Sequence, residues 1–171
     1  MVLTRAGSEA KGRKLADDMK MYGFDVRVTT DPYELGRACR LIITCTTARE
    51  PVLPTAAVQP GTHITAMGAD AHGKAELEVS CAAAADLVVV DSAEQNVEIG
   101  EVARAVEAGV LARKDLVELG DLLQPSHAHL QRGGAVDQRI TLFDSSGVAV
   151  ADAAVAQMVY QELTQAPSAR L

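Results

Sequence analysis

The sequence predicts an α/β fold, in which a mostly parallel sheet is flanked by helices. The first observation behind this prediction is that short apolar, β-branched segments alternate with segments of helical spacing along the whole chain. The second is the composition, which is 48% hydrophobic but only 3% aromatic, with no Trp. A core made of Val, Leu, Ile and Ala is typical of parallel sheets covered by helices. Together these features indicate a Rossmann-like architecture.

The predicted strands and helices alternate within one domain that spans residues 1–165. Strands are predicted at 2–4, 24–28, 41–46, 62–66, 87–90 and 140–143. Helices are predicted at 8–23, 31–38, 76–84, 97–108 and 151–163, with a weaker segment at 117–123. In the second helix, Asp31 is the predicted N-cap and Pro32 the first helical residue. A loop is predicted at 131–134 and a tail at 166–171.

Composition and charge exclude several classes of protein. The formal net charge of −7 argues against a nucleic-acid partner, which requires a basic surface. No apolar run reaches the roughly 18 residues that a membrane span needs, so no membrane association is expected. Cys39, Cys45 and Cys81 have no paired spacing, which indicates reduced thiols packed in the core of a cytoplasmic protein.

The most informative stretch is residues 61–77, with the sequence Gly-Thr-His-Ile-Thr-Ala-Met-Gly-Ala-Asp-Ala-His-Gly-Lys-Ala-Glu-Leu. A β-branched strand ends in a small-residue turn, where Gly68 and Ala69 allow the backbone to approach a ligand closely. Asp70 follows at the tip of the turn, and Lys74 comes four residues later. Ligands of open α/β sheets bind at the carboxyl ends of the strands. Asp70 is therefore a candidate functional residue, and the alternative is a loop aspartate that caps the next helix.

This stretch resembles the signature of the ornithine cyclodeaminase/mu-crystallin family. Three further blocks resemble the same family in the same order, at residues 41–53, 85–95 and 140–152. The resemblance implies an NAD(P)-dependent enzyme that acts on a small amino acid or cyclic imino acid. In such an enzyme hydride passes to bound NAD or NADP, an imine forms, and ammonia is lost or gained.

Within the family, several activities remain open. The leading one is conversion of ornithine to proline plus ammonia, and the alternatives are a cyclic imine (pyrroline-2-carboxylate) reductase or an alanine dehydrogenase. A non-catalytic, NADPH-binding crystallin-like protein is the further alternative. For the full-length protein the resemblance implies a homodimer.

The resemblance also assigns roles to individual residues. Asp70 matches the catalytic aspartate, which acts as acid or base near the substrate nitrogen. The residues that match cofactor-contacting positions are Thr44, Thr46, Met67, Gly68, Ala69, Lys74 and Ser145. Gly147 matches a position that touches nicotinamide and substrate. The simpler alternatives are ordinary backbone and helix capping by the hydroxyl residues, and a solvated lysine.

Arg5 bears on the choice between NAD and NADP. It follows the first predicted strand, where an acidic residue that binds the ribose would favour NAD. No acid is present there, and an arginine could meet the 2′-phosphate of NADP. The alternative is that a lone arginine at this position is simply solvated.

The remaining titratable residues give no functional signal. His63 and His72 flank Asp70, but their spacing fits no zinc motif, and no metal site is predicted. The others are expected to face solvent: His127 and His129 in a loop, and Glu94, Glu98 and Glu101 along one helix face.

One element of a dinucleotide-binding domain is missing from the sequence. Such a domain should open with a strand and a Gly-x-Gly-x-x-Gly/Ala turn, because the pyrophosphate binds at the helix N-terminus that follows. We therefore expect a truncated or split product, or an incomplete gene model, that begins at the family's second nucleotide-domain strand. In the strand order 3-2-1-4-5-6 the missing strand is central. Strands 2–4 and 41–46 should then expose unpaired edges, and the chain alone should have no meaningful catalytic activity.

Overall fold

The computed structural model describes residues 1–130 and 137–165, so the predicted loop at 131–134 and tail at 166–171 lie outside the described residues. The strands are β1 (Val2–Leu3), β2 (Val28–Thr29), β3 (Leu41–Thr44), β4 (His63–Ala66), β5 (Leu87–Val90), β6 (Leu116–Glu118) and β7 (Thr141–Asp144). The helices are α1 (Glu9–Lys20), α2 (Pro32–Ala38), α3 (Val79–Ala84), α4 (Ala93–Asn96), α5 (Glu101–Glu107), α6 (Leu119–Leu122) and α7 (Ala149–Gln165). Short 3-10 helices lie at Thr55–Ala57, Arg113–Asp115 and Pro125–Leu130.

The strands form two parallel sheets, which confirms the predicted α/β class. One sheet has β1 beside β2, and the other has five strands in the order β3-β4-β7-β5-β6. Every pairing between these strands is parallel. The order differs from the one expected, because the late strand β7 lies between β4 and β5. Its central residue Leu142 is fully buried, so β7 gains more burial at the centre of the sheet than it would at an edge.

β1 and β3 each have one edge that pairs with no other strand among the described residues. β1 pairs only with β2, and β3 pairs only with β4. Along β3 the side chains of Leu41 and Ile43 are 62% and 64% exposed, whereas Ile42 between them is buried. This alternation has the period of two that a strand with one covered face shows.

The core lies between the five-stranded sheet and its helices, and it is aliphatic. Its fully buried members include Ile64, Leu142, Val90 and Val102. The predicted cap of α2 is present, since the side chain of Asp31 accepts a hydrogen bond from the backbone N–H of Tyr33 at 2.8 Å. The aliphatic composition of the chain thus accounts directly for the interior of this sheet.

Several predicted boundaries were wrong. The helix predicted from residue 76 begins only at Val79. Glu76 and Leu77 lie before it in an extended segment, in which Leu77 forms an isolated parallel β-bridge with Leu53. The helix predicted at 97–108 begins only at Glu101, as α5, because Gly100 has a φ of +109° and separates it from α4, which ends at Asn96.

The cysteines were not all assigned correctly. Cys81 is buried and Cys39 partly buried, but Cys45 is exposed. Cys45 follows β3 and continues its alternation of exposed and buried residues, so it falls on the uncovered face.

Candidate functional site

Four neighbouring strands end at the same level of the sheet. In the register, Thr44 lies opposite Ala66, Ala66 opposite Asp144, and Asp144 opposite Val90. The turns that follow β3, β4, β7 and β5 therefore meet at one carboxyl edge. Backbone hydrogen bonds connect them, from Met67 N to Thr44 O and from Ser145 N to Ala66 O, both at 2.9 Å. Seven of the sequence-predicted residues are at this edge: Thr44, Thr46, Met67, Gly68, Ala69, Ser145 and Gly147.

Asp70 lies just beyond this edge, in the turn after β4, and forms an ion pair with Lys74. The side chain of Asp70 is 56% exposed and that of Lys74 is 21% exposed. The hydrogen bond from Lys74, with its charge, lowers the pKa of the Asp70 carboxyl below its ordinary value. Asp70 is thus ionised at neutral pH and can act as a base or as the counter-charge of a substrate ammonium.

Arg5 is not part of this edge. It follows β1 in the two-stranded sheet, it is exposed, and its Nε donates a hydrogen bond to Ser8 Oγ at 3.2 Å. A cavity of about 590 Å³ also belongs to that part of the molecule, between α1 and β2, where Arg13, Asp17 and Val28 are among its lining residues. None of the sequence-predicted site residues lines that cavity.

Asp91 organises the turn that follows β7. Its carboxylate accepts hydrogen bonds from Ser145 Oγ at 2.9 Å, Ser146 Oγ at 3.1 Å and Gly147 N at 2.8 Å. On the other side of the turn, Gln95 Nε2 donates to Gly147 O at 2.6 Å. Asp91 is not among the predicted site residues, although an aspartate that directly follows a buried parallel strand is a signal that could have identified it.

Glu76 has no exposed surface, and it joins two of the turns at the edge. Its Oε1 accepts from Thr46 N at 2.5 Å, and its Oε2 accepts from Gly68 N at 2.9 Å. In the sequence, Glu76 stands out only as part of the stretch that resembles the family signature. Nothing in the local pattern predicts that this side chain turns inward.

Glu101 was wrongly predicted to face solvent. Glu94 and Glu98 are exposed, but Glu101 is only 4% exposed, because the break at Gly100 turns α5 toward the core. Its two carboxylate oxygens accept from Glu76 N at 2.6 Å and Leu77 N at 3.1 Å. The Glu101 side chain therefore supports the backbone segment that carries Glu76.

A third buried carboxylate, that of Asp144, lies next to this pair. Its Oδ2 accepts from Val102 N at 2.9 Å, while its Oδ1 is buried and has no hydrogen-bond partner among the described residues. Burial raises the pKa of Asp144 to about 6 and that of Glu101 to about 7. Asp144 and Glu76 raise the pKa of Glu101 further, and Asp91 does so for Asp144.

These two raised pKa values predict that the protein is less stable at pH 8 than at pH 5. The unfolded chain releases the two protons near pH 4, whereas the folded protein retains them up to about pH 6 and 7. The free energy of unfolding should therefore fall between about pH 4 and 7, by roughly 2–5 kcal/mol in total. Below pH 4, exposed acids with lowered pKa values, such as Asp17 and Asp70, act in the opposite sense.

Urea unfolding at pH 5 and pH 8 measures this difference. The variant Glu101→Gln removes one of the two titrations and should reduce the pH dependence. A stability that rises from pH 5 to pH 8 would contradict the raised pKa values.

The polar groups at the edge differ in whether they are already hydrogen-bonded within the protein. Thr46 N, Gly68 N and Gly147 N already donate to carboxylates. The Thr46 hydroxyl oxygen accepts from Ala48 N at 3.1 Å, which leaves its proton to be donated. Thr44 Oγ1 is buried without a partner in the described part of the chain, and Met67 is 42% exposed. The edge thus combines small backbone turns, hydroxyl groups and the exposed carboxylate of Asp70, which are groups that can hydrogen-bond a polar ligand.

His63 lies between two threonine hydroxyl groups. Both ring nitrogens of His63 have hydroxyl neighbours, with Nδ1 at 2.7 Å from Thr141 Oγ1 and Nε2 at 3.2 Å from Thr65 Oγ1. Across residues 1–130 and 137–165, no three His, Cys, Asp or Glu side chains are grouped as metal ligands would be. His127 and His129 lie in a 3-10 helix rather than a loop, and His127 is partly buried.

No helix within residues 1–130 and 137–165 is both long and apolar enough to cross a membrane.

The architecture places the chain among Rossmann-like nucleotide-binding proteins, because the small-residue turns of parallel strands meet at one carboxyl edge. The sequence profile of the ornithine cyclodeaminase/mu-crystallin family matches residues 5–166. The chain therefore belongs to this family, which confirms the resemblance found in its motifs.

Three relatives show the range of the family. An uncharacterized cyclodeaminase of Sinorhizobium fredii is 33% identical over 158 residues, which are 91% of this chain and 46% of the relative. The structure of an archaeal alanine dehydrogenase dimer with bound NAD is similar at a TM-score of 0.78 and 35% identity, over 95% of this chain and 49% of that one. The Thermococcus litoralis delta(1)-pyrroline-2-carboxylate reductase in complex with NADH and L-proline is similar at a TM-score of 0.79 and 26% identity, over 95% and 50%. The chain spans about half the length of the relatives that it matches.

Proposed function

We propose that this chain is the nucleotide-binding part of an NAD(P)-dependent amino or imino acid enzyme of the ornithine cyclodeaminase type. The observation that carries the proposal is the carboxyl edge, where the turns after β3, β4 and β7 meet beside the exposed Asp70–Lys74 pair. Its cofactor is NAD or NADP, which accepts or delivers hydride at the substrate Cα when bound. The NAD and NADH present in the two similar structures support this choice.

Most of the residues at the edge are proposed to contact the cofactor, and Gly147 is proposed to lie near the substrate. Thr44, Thr46 and the turn from Met67 to Ala69 hold the nicotinamide side, because this turn has little bulk and the Thr46 hydroxyl can donate. The Ser145 hydroxyl donates to Asp91, so its oxygen can still accept a bond from the carboxamide of the cofactor. Gly147 contributes by the absence of a side chain near the substrate, since Asp91 and Gln95 already bind its backbone.

Asp70 is the proposed acid or base at the substrate nitrogen. Its ionised form attracts an ammonium or iminium group and can take or return a proton there. Lys74 keeps Asp70 ionised and contacts the cofactor. Arg5 would contact the ribose end, and its bond to Ser8 leaves part of the guanidinium for a 2′-phosphate if the cofactor is NADP.

The reaction that we favour is the conversion of ornithine to proline plus ammonia. Reduction of pyrroline-2-carboxylate and oxidation of alanine are supported by the similarity to the reductase with L-proline and to the archaeal dehydrogenase. A crystallin-like protein that binds NADPH without catalysis is the alternative if turnover is never found. We also propose a cytoplasmic homodimer for the whole protein, which the dimeric archaeal relative and the free thiols support.

Titration with NADH and NADPH tests the cofactor site on the chain as it stands. In NMR spectra, the amide signals of Thr46, Gly68 and Ser145 should shift, with a dissociation constant on the order of 1 mM. Binding should be weak because no Gly-x-Gly-x-x-Gly turn is present in the sequence to hold the pyrophosphate. Ammonia release from ornithine and reduction of cyclic imines should be undetectable.

Two results would contradict this proposal in different ways. If no amide at the carboxyl edge shifts at about 10 mM cofactor, a concentration well above the expected dissociation constant, the cofactor site is wrong. If binding is tight and turnover is measured, the expectation of an inactive chain is wrong, and loss of that turnover in Asp70→Ala would establish Asp70 as the catalytic group. His72→Ala is the matched control, because His72 is an exposed neighbour in the same turn.

A further inference from the structure

The buried carboxylate of Glu76 has unusual partners. Both of its oxygens accept from backbone N–H groups, those of Thr46 and Gly68, which belong to turns after two different strands. Within the described ranges, no Lys, Arg or His forms an ion pair with it. A fully buried polar group is costly unless it is hydrogen-bonded, so the two backbone bonds are the compensation that this position provides.

We propose that Glu76 is a positioning residue that clamps the turn after β3 to the turn after β4. The clamp fixes the distance between Thr46 and the Met67–Ala69 turn, and these are the segments proposed above to hold the nicotinamide. The inference therefore rests on the proposed function for its role and on the two hydrogen bonds for its geometry. A loosened clamp would leave the cofactor in more than one position relative to Asp70.

Gly68 is complementary to this clamp. A Cβ atom at position 68 would lie within 2.5 Å of both oxygens of the Glu76 carboxylate. The backbone at Gly68 does not have a positive φ. Glycine is therefore needed here for the space that the carboxylate occupies, and not for its backbone conformation.

Two further carboxylates support the clamp from behind. Glu101 accepts from Glu76 N and Leu77 N, which fixes the backbone from which the Glu76 side chain extends. Asp144 accepts from Val102 N, directly after Glu101, and it ends the strand whose next residue is Ser145. The buried acids thus connect all three turns of the proposed cofactor site.

Glu78 provides a matched control in the same segment. Its Oε2 accepts from Thr55 N at 2.8 Å, so it is also a glutamate that binds a loop N–H through a carboxylate. Thr55 begins a 3-10 helix that is not part of the carboxyl edge. Loss of the Glu78 bond should loosen a loop without affecting the nicotinamide turns.

The test compares Glu76→Gln with Glu78→Gln by amide hydrogen exchange and by NADH titration. A glutamine at position 76 keeps one acceptor but turns an NH2 group toward the second backbone N–H. Exchange at Thr46 or Gly68 should therefore accelerate at least about tenfold, and the NADH affinity should fall at least about fivefold. Glu78→Gln should change neither quantity, and exchange at Leu77 should be unchanged in both variants.

The outcomes separate the clamp from the proposed function. If NADH shifts the wild-type signals and Glu76→Gln binds it equally well, the clamp has no positioning role and the inference is overturned, while the proposed function stands. If the wild-type chain shows no shift with NADH, the proposed function fails, and with it the cofactor role of the clamp. If Glu76→Gln does not fold, amide hydrogen exchange of the wild-type protein provides the test. Rapid exchange at Thr46 and Gly68 would overturn the inference, whereas protection as strong as that of the core strands would support it.

Discussion

Replacing Glu101 with alanine is expected to lower the free energy of unfolding by about 2–5 kcal/mol. The substitution removes the acceptor of two backbone N–H groups, those of Glu76 and Leu77, in a segment that is fully buried. Each unsatisfied buried donor costs roughly 1–3 kcal/mol. The loss of a buried carboxylate offsets part of this penalty, because desolvation of that group is itself unfavourable. Urea unfolding near pH 7 gives the difference directly.

Glu98 is the matched control for this prediction. It lies three residues before Glu101 and is exposed, so Glu98→Ala should change stability by no more than about 0.5 kcal/mol. If the two alanine variants were equally stable, Glu101 would be a solvated residue, as the sequence pattern alone had indicated.

Gly36→Ala should destabilise the protein by roughly 3 kcal/mol, because helix α2 lies too close to its neighbour to accept a methyl group. A Cβ at position 36 would lie 2.8 Å from the carbonyl carbon of Ala57 and closer still to its oxygen. These are backbone atoms in the core, so no side-chain rotation can relieve the contact, and α2 would have to shift. For a chain of this size the melting temperature should fall by about 6–12 °C.

Gly120→Ala tests whether this effect comes from the contact and not from the residue type. Gly120 is also helical, in α6, but nothing lies within 4 Å of the position that its Cβ would take. Alanine is the better helix former by up to about 1 kcal/mol, so this variant should be slightly more stable than the wild type. A destabilised Gly120→Ala, or a neutral Gly36→Ala, would contradict the packing described for α2.

Sequence patterns predicted the strands that the proposed site residues follow. The strand before Met67 and the strand before Ser145 were both recognised from short β-branched runs, and the parallel register brings their ends together. Asp70 was selected as a candidate because polar residues that follow such strands are close to the ligand in an open α/β sheet. The exposure of Cys45 could not be predicted in this way, because Leu41, Ile42 and Ile43 are all apolar and show no alternation in the sequence.

The sequence did not reveal the buried carboxylates or the place of the last strand. Glu101 has the same spacing as the exposed Glu94 and Glu98, and only the turn at Gly100 directs it inward. Glu76 looked like the first residue of a helix, although its N–H is bound by a side chain 25 residues away. Strand β7 occupies the centre of the sheet through pairings with β4 and β5, which no local pattern encodes.

The sequence by itself therefore determined the α/β class, the family, and the turns from Thr44 to Thr46, Met67 to Asp70 and Ser145 to Gly147. These depend on local periodicity and on motifs, which are written in consecutive residues. Only the tertiary structure decided the strand order, the hydrogen bonds from the turn after β7 to Asp91, and the hydrogen bonds from backbone N–H groups to the buried carboxylates, including Glu76. The physical reason is that a buried carboxylate is tolerated only where distant backbone N–H groups reach it, and the fold alone determines which N–H groups those are.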